Sequence, residues 1–275
     1  MNYRHAYHAG NFADVIKHAV LALVVEHLKK KDGAFLYLDT HAGIGLYDLE
    51  SEQAGKTREW EAGIGRVMAE AEAPAEIRAY LDVVRGLPDG RYPGSPWVVA
   101  ASARPHDRLA LCELHPEDNA QLKRLFAADR RVGVHHMDGY AALKALLPPP
   151  ERRGLVLIDP PFEVKDEFER MRRGMAQGLK RWPTGLYALW YPIKARQPVE
   201  RFLADLAMLG PGKLLVAEVM TRAGDDPATL NGCGLALINP PWKLDESLAA
   251  LLPWLARVLS PVEGSHRLEW LVGEA

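Results

Sequence analysis

Two kinds of apolar spacing divide this chain. Between Asn11 and Lys31, residues Val15, Ile16, Ala19, Val20, Leu23, Val24 and Leu28 recur every three or four positions, the period of an amphipathic helix. Asn11 suits its N-cap, Lys29-Lys30-Lys31 its carboxyl end, where the helix dipole favours cations, and Gly33 stops it. Beyond Gly33 the spacing changes to short continuous apolar runs bounded by turn residues. These runs, at 35–38, 109–113, 132–139, 155–158, 186–191, 214–220 and 235–239, predict seven strands. Helical stretches lie between them, so the pattern predicts an α/β fold with a parallel sheet flanked by helices.

One stretch interrupts that rhythm. Residues 49–87 are rich in Glu, Ala and Arg and break at Gly55, Gly63, Gly65 and Pro74, which predicts two or three short helices. The second strand arrives about sixty residues after the first, whereas a simple βαβ unit needs about thirty. The excess predicts a small helical insertion at 49–93 within a main domain made of 1–48 and 94–275. The crossover helix of that domain is expected between Pro96 and Arg104.

The composition narrows the function only by exclusion. The chain has 275 residues, 48% of them apolar, enough for an ordinary core, and no apolar run approaches a membrane span. Two cysteines and no secretory signal predict a reducing, cytoplasmic setting without a disulfide framework. A formal net charge of −2 is not that of a nucleic-acid coat protein, so any RNA contact must come from local patches.

The chemistry is concentrated where strands end. Ile158 is followed by Asp159-Pro160-Pro161-Phe162, and two prolines forbid continuation of the strand. A carboxylate, a rigid backbone carbonyl and an aromatic face are thereby held at the edge where open α/β sheets bind ligands. That set suits a flat ring bearing an amino group. The first strand ends in Asp39-Thr40-His41-Ala42-Gly43-Ile44-Gly45, a nucleotide-type loop. It lacks the third glycine of a dinucleotide fingerprint and the Gly-Lys-Ser/Thr of a P-loop. Glu113 ends the second strand, where an acid can accept ribose hydroxyls, and Asp138-Gly139 ends the third, where an acid suits an adenine amino group. Each acid alone could be a solvated loop carboxylate; four on successive strand ends are harder to dismiss. Asn239-Pro240-Pro241-Trp242 repeats the amine-holding pattern, and chain order assigns it to structure. The histidines lack H-E-x-x-H spacing and a cysteine pair, so no metal is expected. Cys112 lies within an apolar strand, which disfavours a cysteine nucleophile.

The glycine loop and the proline turn together resemble the S-adenosylmethionine-dependent amino-methyltransferases. The amino-terminal block from Tyr3 to His18, Leu38 to Gly43, Tyr92-Pro93-Gly94-Ser95-Pro96 and Ile158 to Glu163 further resemble the bacterial RlmJ family, and the matching segments reach Trp242. The resemblance implies a Rossmann-like class I methyltransferase sheet, S-adenosylmethionine as cofactor and methylation of N6 of one adenine in 23S ribosomal RNA, either naked or in an assembly intermediate. It implies Asp39, Gly43, Glu113, Asp138, Gly139 and Asp159 around the cofactor, and adds His18, His41 and Ser95 there. Asp159, Pro160 and Phe162 would hold and activate the amine. Tyr3, Arg4 and Lys17 would meet the RNA. Most family members carry Tyr where this chain has Phe162, so a phenolic hydrogen bond would be missing here. Competing readings are a methyltransferase of another amine (DNA adenine, guanine N2 or glutamine) and a non-catalytic RNA-binding module of the same fold. A monomer is the default expectation.

Overall fold

The computed structural model describes residues 5–223, 226–260 and 262–273, so the expected RNA contacts Tyr3 and Arg4 lie outside the described residues. Its main sheet has eight strands. In chain order the strands of the molecule are β1 (Leu36–Asp39), β2 (Leu46–Asp48), β3 (Arg91–Pro93), β4 (Arg108–Cys112), β5 (Val132–His135), β6 (Gly154–Ile158), β7 (Leu186–Ile193), β8 (Leu214–Met220), β9 (Gly232–Ile238) and β10 (Ser265–Val272). The sheet order is β10-β8-β9-β7-β6-β1-β4-β5, while β2 and β3 pair separately.

The expected all-parallel sheet is corrected on one side. β5, β4, β1, β6 and β7 are mutually parallel, but β9 runs antiparallel between β7 and β8, and β10 is antiparallel to β8. The short connection 221–231 leaves no room for a crossover helix, so β8 must hand over to β9 as a hairpin. β10 escaped the sequence reading because it is an edge strand with a polar, partly exposed sequence, Ser-His-Arg-Leu-Glu-Trp.

Successive residues of β1 feed opposite cores. Tyr37 joins the layer built by the helices Phe12–Lys29 (α1), Ser95–Ser102 and Leu244–Leu259, while Leu36 and Leu38 join the layer of Gly139–Ala145, Glu167–Arg181 and Arg196–Met208. The expected N-cap is in place: the Asn11 side chain accepts from the Asp14 amide. α1 is not an amphipathic surface helix, however. Fifteen of its 18 residues are buried, because the sheet, the 244–259 helix and the segment between β2 and β3 enclose it. Asp14, Lys17 and His18 are therefore carried into the interior. Between β2 and β3 lie five short helical pieces, Glu52–Thr57, Glu61–Gly65, Arg66–Ala69, Ala75–Ile77 and Arg78–Arg85. This segment meets the amino-terminal loop where the Ile64 amide donates to the Gly10 carbonyl at 2.9 Å.

Candidate active site

The carboxyl ends of β1, β4, β5, β6 and β7 open on one cleft of about 1110 Å³. Asp39 lies beneath its floor, fully buried. One carboxylate oxygen accepts from the Tyr37 hydroxyl and from Ser95 Oγ, both at 2.7 Å, and the other accepts from the His41 amide at 3.2 Å. Burial pushes its carboxyl up to about 6 against these hydrogen bonds. Asp39 thus organises the loop from below, while Ser95 and His41 line the cleft. The His41 ring is pushed down to about 4 by burial, which keeps it neutral near pH 7. Its edge meets Tyr140, with ring centres 5.5 Å apart.

Two glycines are demanded by this packing. Gly43 has φ +61°, and a Cβ there would fall 2.4 Å from the Tyr47 hydroxyl. A Cβ on Gly139 would fall 2.1 Å from the Thr40 carbonyl oxygen, so only glycine lets the loop after β5 touch the loop after β1. The Gly43 amide donates to Glu113 Oε2 at 2.9 Å and the His115 amide to Oε1 at 2.7 Å. Each oxygen keeps lone-pair capacity toward the cleft. Burial raises the Glu113 carboxyl above its usual range. Asp138 caps the 139–145 helix by accepting from the Ala141 amide at 2.9 Å, and Arg170 stands 3.8 Å away.

β6 is buried along its whole length and delivers Asp159 to the cleft beside the cofactor-type loops. Asp159 Oδ2 accepts from Lys17 Nζ at 2.5 Å, and the same ammonium lies 2.9 Å from Asp14 Oδ1. Asp14 Oδ2 in turn accepts from His5 Nε2 at 2.8 Å and from the Gly10 amide at 3.1 Å. Burial opposes the charge on Lys17, but the two carboxylates outweigh it and hold the ammonium well above the usual lysine range. Lys17, expected to meet the RNA, lines the cleft. It is 5% exposed and points at the carboxylate expected to hold the amine. Pro160, Pro161 and Phe162 line the cleft next to it. Phe162 has φ +50°, an uncommon conformation for a bulky residue, and its ring stands edge-on to Phe168 at 5.2 Å and to Trp190 at 5.8 Å.

His18 joins α1 to the segment between β2 and β3. Its Nδ1 pairs with the Tyr92 hydroxyl at 3.0 Å, and Tyr92 with the Tyr80 hydroxyl at 2.9 Å. Burial pushes the ring down to about 3, and its buried Nε2 makes no hydrogen bond among the described residues. A neutral ring with one unused polar atom, the Glu113 carboxylate and the tight Gly43 loop fit a ligand with several polar groups, as S-adenosylmethionine has.

The second proline turn lies on the other edge of the sheet. Because β9 runs antiparallel, Ile238 pairs with Tyr187 near the start of β7, and Asn239 emerges opposite the cleft. Strand direction supplies the reason that chain order only suggested. Sequence reasoning missed Asp14, Trp190, Pro192, Lys194 and Arg222, which all line the cleft. Trp190, Pro192 and Lys194 follow the two-residue period of β7, a signal available in the sequence and hidden by its apolar run. Among the described residues no group of three or more His, Cys, Asp or Glu side chains is placed to hold a metal ion. Nor is any helix there long and apolar enough to cross a membrane.

The chain has relatives that match it over its full length. The family model described as ribosomal RNA large subunit methyltransferase D, RlmJ, matches residues 32–272. The ribosomal RNA large subunit methyltransferase J of Escherichia coli K12 is 45% identical, and that of Haemophilus influenzae Rd 42% identical, each over the full length of both chains. A crystal structure of a Legionella pneumophila protein superposes with a TM-score of 0.89 at 36% identity, covering 95% of this chain and 98% of that one.

Proposed function

The chain belongs to the RlmJ family of ribosomal RNA large subunit methyltransferases, and from that premise we propose that this S-adenosylmethionine-dependent enzyme methylates N6 of an adenine in 23S ribosomal RNA through the Asp159 turn. The observation that carries the reading is the opening of Asp159-Pro160-Pro161-Phe162 onto the same cleft as Gly43, Glu113 and Asp138. The cofactor supplies an electron-poor methyl group on sulfur. His18, His41, Gly43, Ser95, Glu113, Asp138 and Gly139 hold it, with Asp39 bracing the loop from below. The segment 49–93 is a helical insertion in a methyltransferase domain formed by 1–48 and 94–275, and it contributes Tyr92 behind His18. A large-subunit ribosomal RNA substrate supports a cytoplasmic setting.

The N6 lone pair of adenine is delocalised into the ring and is a poor nucleophile. Asp159 and the Pro160 carbonyl accept its two hydrogens, favouring a tetrahedral nitrogen whose lone pair is free for in-line attack. Lys17 engages Oδ2, which leaves Oδ1 for the amine. The ammonium also fixes the carboxylate in place, so catalysis is mainly positioning and electrostatics. Phe162 stacks on the base, an interaction worth about 1–3 kcal/mol. Asp159 takes the departing proton directly or through water. The adenine must leave its stack to reach this depth.

The test is methyl transfer from labelled S-adenosylmethionine to unmodified 23S ribosomal RNA, followed by nucleoside analysis. N6-methyladenosine from the wild type that is absent with Asp159→Ala is the expected result. Label in any other nucleoside would refute the adenine assignment.

A further inference from the structure

A protein of net charge −2 that acts on RNA must concentrate its cations where the strand passes. Four lysine and arginine side chains line the cleft, and they fall into two classes. Lys17 is committed to Asp14 and Asp159, and Arg170 lies 3.3 Å from Glu167 and 3.8 Å from Asp138. Lys194 and Arg222 are exposed, and among the described residues neither has a carboxylate within ion-pair distance. Asp226 is the acid that faces Arg222 electrostatically.

Their place in the sheet separates them from the cofactor residues. Gly43, Glu113 and Asp138 follow β1, β4 and β5; the amine-holding turn follows β6; Lys194 and Arg222 follow β7 and β8. The turn therefore lies between a cofactor half and a cationic half. Along β7, Trp190, Pro192 and Lys194 share the cleft-facing side, with Trp190 against Phe162 and Lys194 about 13 Å farther out. A base seated on Phe162 would direct its sugar and phosphates outward, toward that rim.

The two cations are also held together. Asn231, 3% exposed, donates its amide to the Ile193 carbonyl at 3.0 Å and its side chain to the Lys194 carbonyl at 2.8 Å. Its own carbonyl accepts from the Thr221 amide at 2.9 Å and the Arg222 amide at 3.2 Å. One buried residue thus ties the backbones that bear both cations, whose side chains line the cleft.

We propose that Lys194 and Arg222, tied together through Asn231, form a phosphate grip for the RNA strand flanking the adenine. This rests on the reading of the Asp159 turn as the adenine site. The grip acts on binding: it holds phosphates, carries no sequence information and takes no part in methyl transfer.

The experiment measures N6-methyladenosine formation on the RNA across a salt series for wild type, Lys194→Ala, Arg222→Ala and the double variant. Arg201→Ala, an exposed cation outside the cleft, serves as control, with S-adenosylmethionine affinity measured alongside. Each single variant is expected to raise KM for RNA several-fold. The slope of log(kcat/KM) against log salt should shrink by about 0.7 per lost phosphate contact. Turnover at saturating RNA, cofactor affinity and the Arg201→Ala profile should stay at wild-type values. Lys194→Arg and Arg222→Lys should keep the slope. A double variant with wild-type KM and slope overturns the grip, as does one that loses turnover with KM unchanged. A wild-type protein that makes no N6-methyladenosine sinks the adenine reading and the grip with it.

Discussion

Two turns of this molecule share a pattern and little else. Asp159-Pro160-Pro161-Phe162 and Asn239-Pro240-Pro241-Trp242 each follow a strand buried along its whole length. The first leaves a parallel strand at the cleft, where its carboxylate meets an ammonium and its ring meets Phe168 and Trp190. The second leaves an antiparallel strand at the opposite edge. There the Asn239 amide is consumed by the carbonyls of Pro183 and Gly185, both at 2.9 Å, and Trp242 is 72% exposed. A tetrapeptide holds an amine only if its strand points toward the cofactor. The pattern supplies rigidity, and direction supplies the use.

The comparison can be broken most directly at the two leading residues. Asp159→Ala should lower turnover about 10²- to 10⁴-fold, the usual worth of a positioned acid–base group. Asn239→Ala should leave turnover unchanged and cost about 1–3 kcal/mol of stability for two lost hydrogen bonds, read as a lower Tm. Equal losses of activity in the two variants would erase the difference between the turns. Next in size is Lys17→Met, which has no counterpart at the second turn. It leaves Asp14 and Asp159 facing each other without their shared cation, and should destabilise the protein by about 3–5 kcal/mol in chemical denaturation. Phe162→Ala should lower kcat/KM by roughly 5- to 150-fold through lost stacking, whereas Trp242→Ala should change it by less than about twofold. The smallest effect belongs to Phe162→Tyr. An added hydroxyl that finds a partner should raise turnover by about two- to tenfold, the value of one hydrogen bond. Unchanged kinetics would mean that the ring alone suffices.

Much of this contrast could be read from residues alone, and its limits are physical. All seven anticipated strands form, because short apolar runs closed by Gly, Pro or acids leave a buried strand few alternatives. The acids Asp39, Glu113, Asp138 and Asp159 converge because parallel strands deliver their carboxyl ends to one edge. Strand sense was not legible for β9, since burial on both faces erases the alternation that could betray a hairpin. The burial of Lys17 was not legible because a lysine on a helix reads as a solvated charge, and the two carboxylates that draw it inward come from one position three residues away and another far along the chain. Lys194 and Arg222 were invisible as a pair: the residue that unites them, Asn231, shows its role only in its hydrogen bonds.

The reversed strand also imposes an order of construction. In a chain made from its amino terminus, β7 is complete at residue 193, yet its outer neighbour is β9, which begins only at residue 232. β8 is synthesised earlier, but in the finished sheet it stands one place farther out, beyond β9. For that interval β7 presents a bare row of amides and carbonyls, the kind of edge on which unwanted pairing starts. The half of the cleft built on β1, β4 and β5 is meanwhile complete in sequence and free to close. The nascent chain therefore completes the segments proposed to hold the cofactor, all before residue 140, ahead of Lys194 and Arg222, the pair proposed to hold the RNA strand.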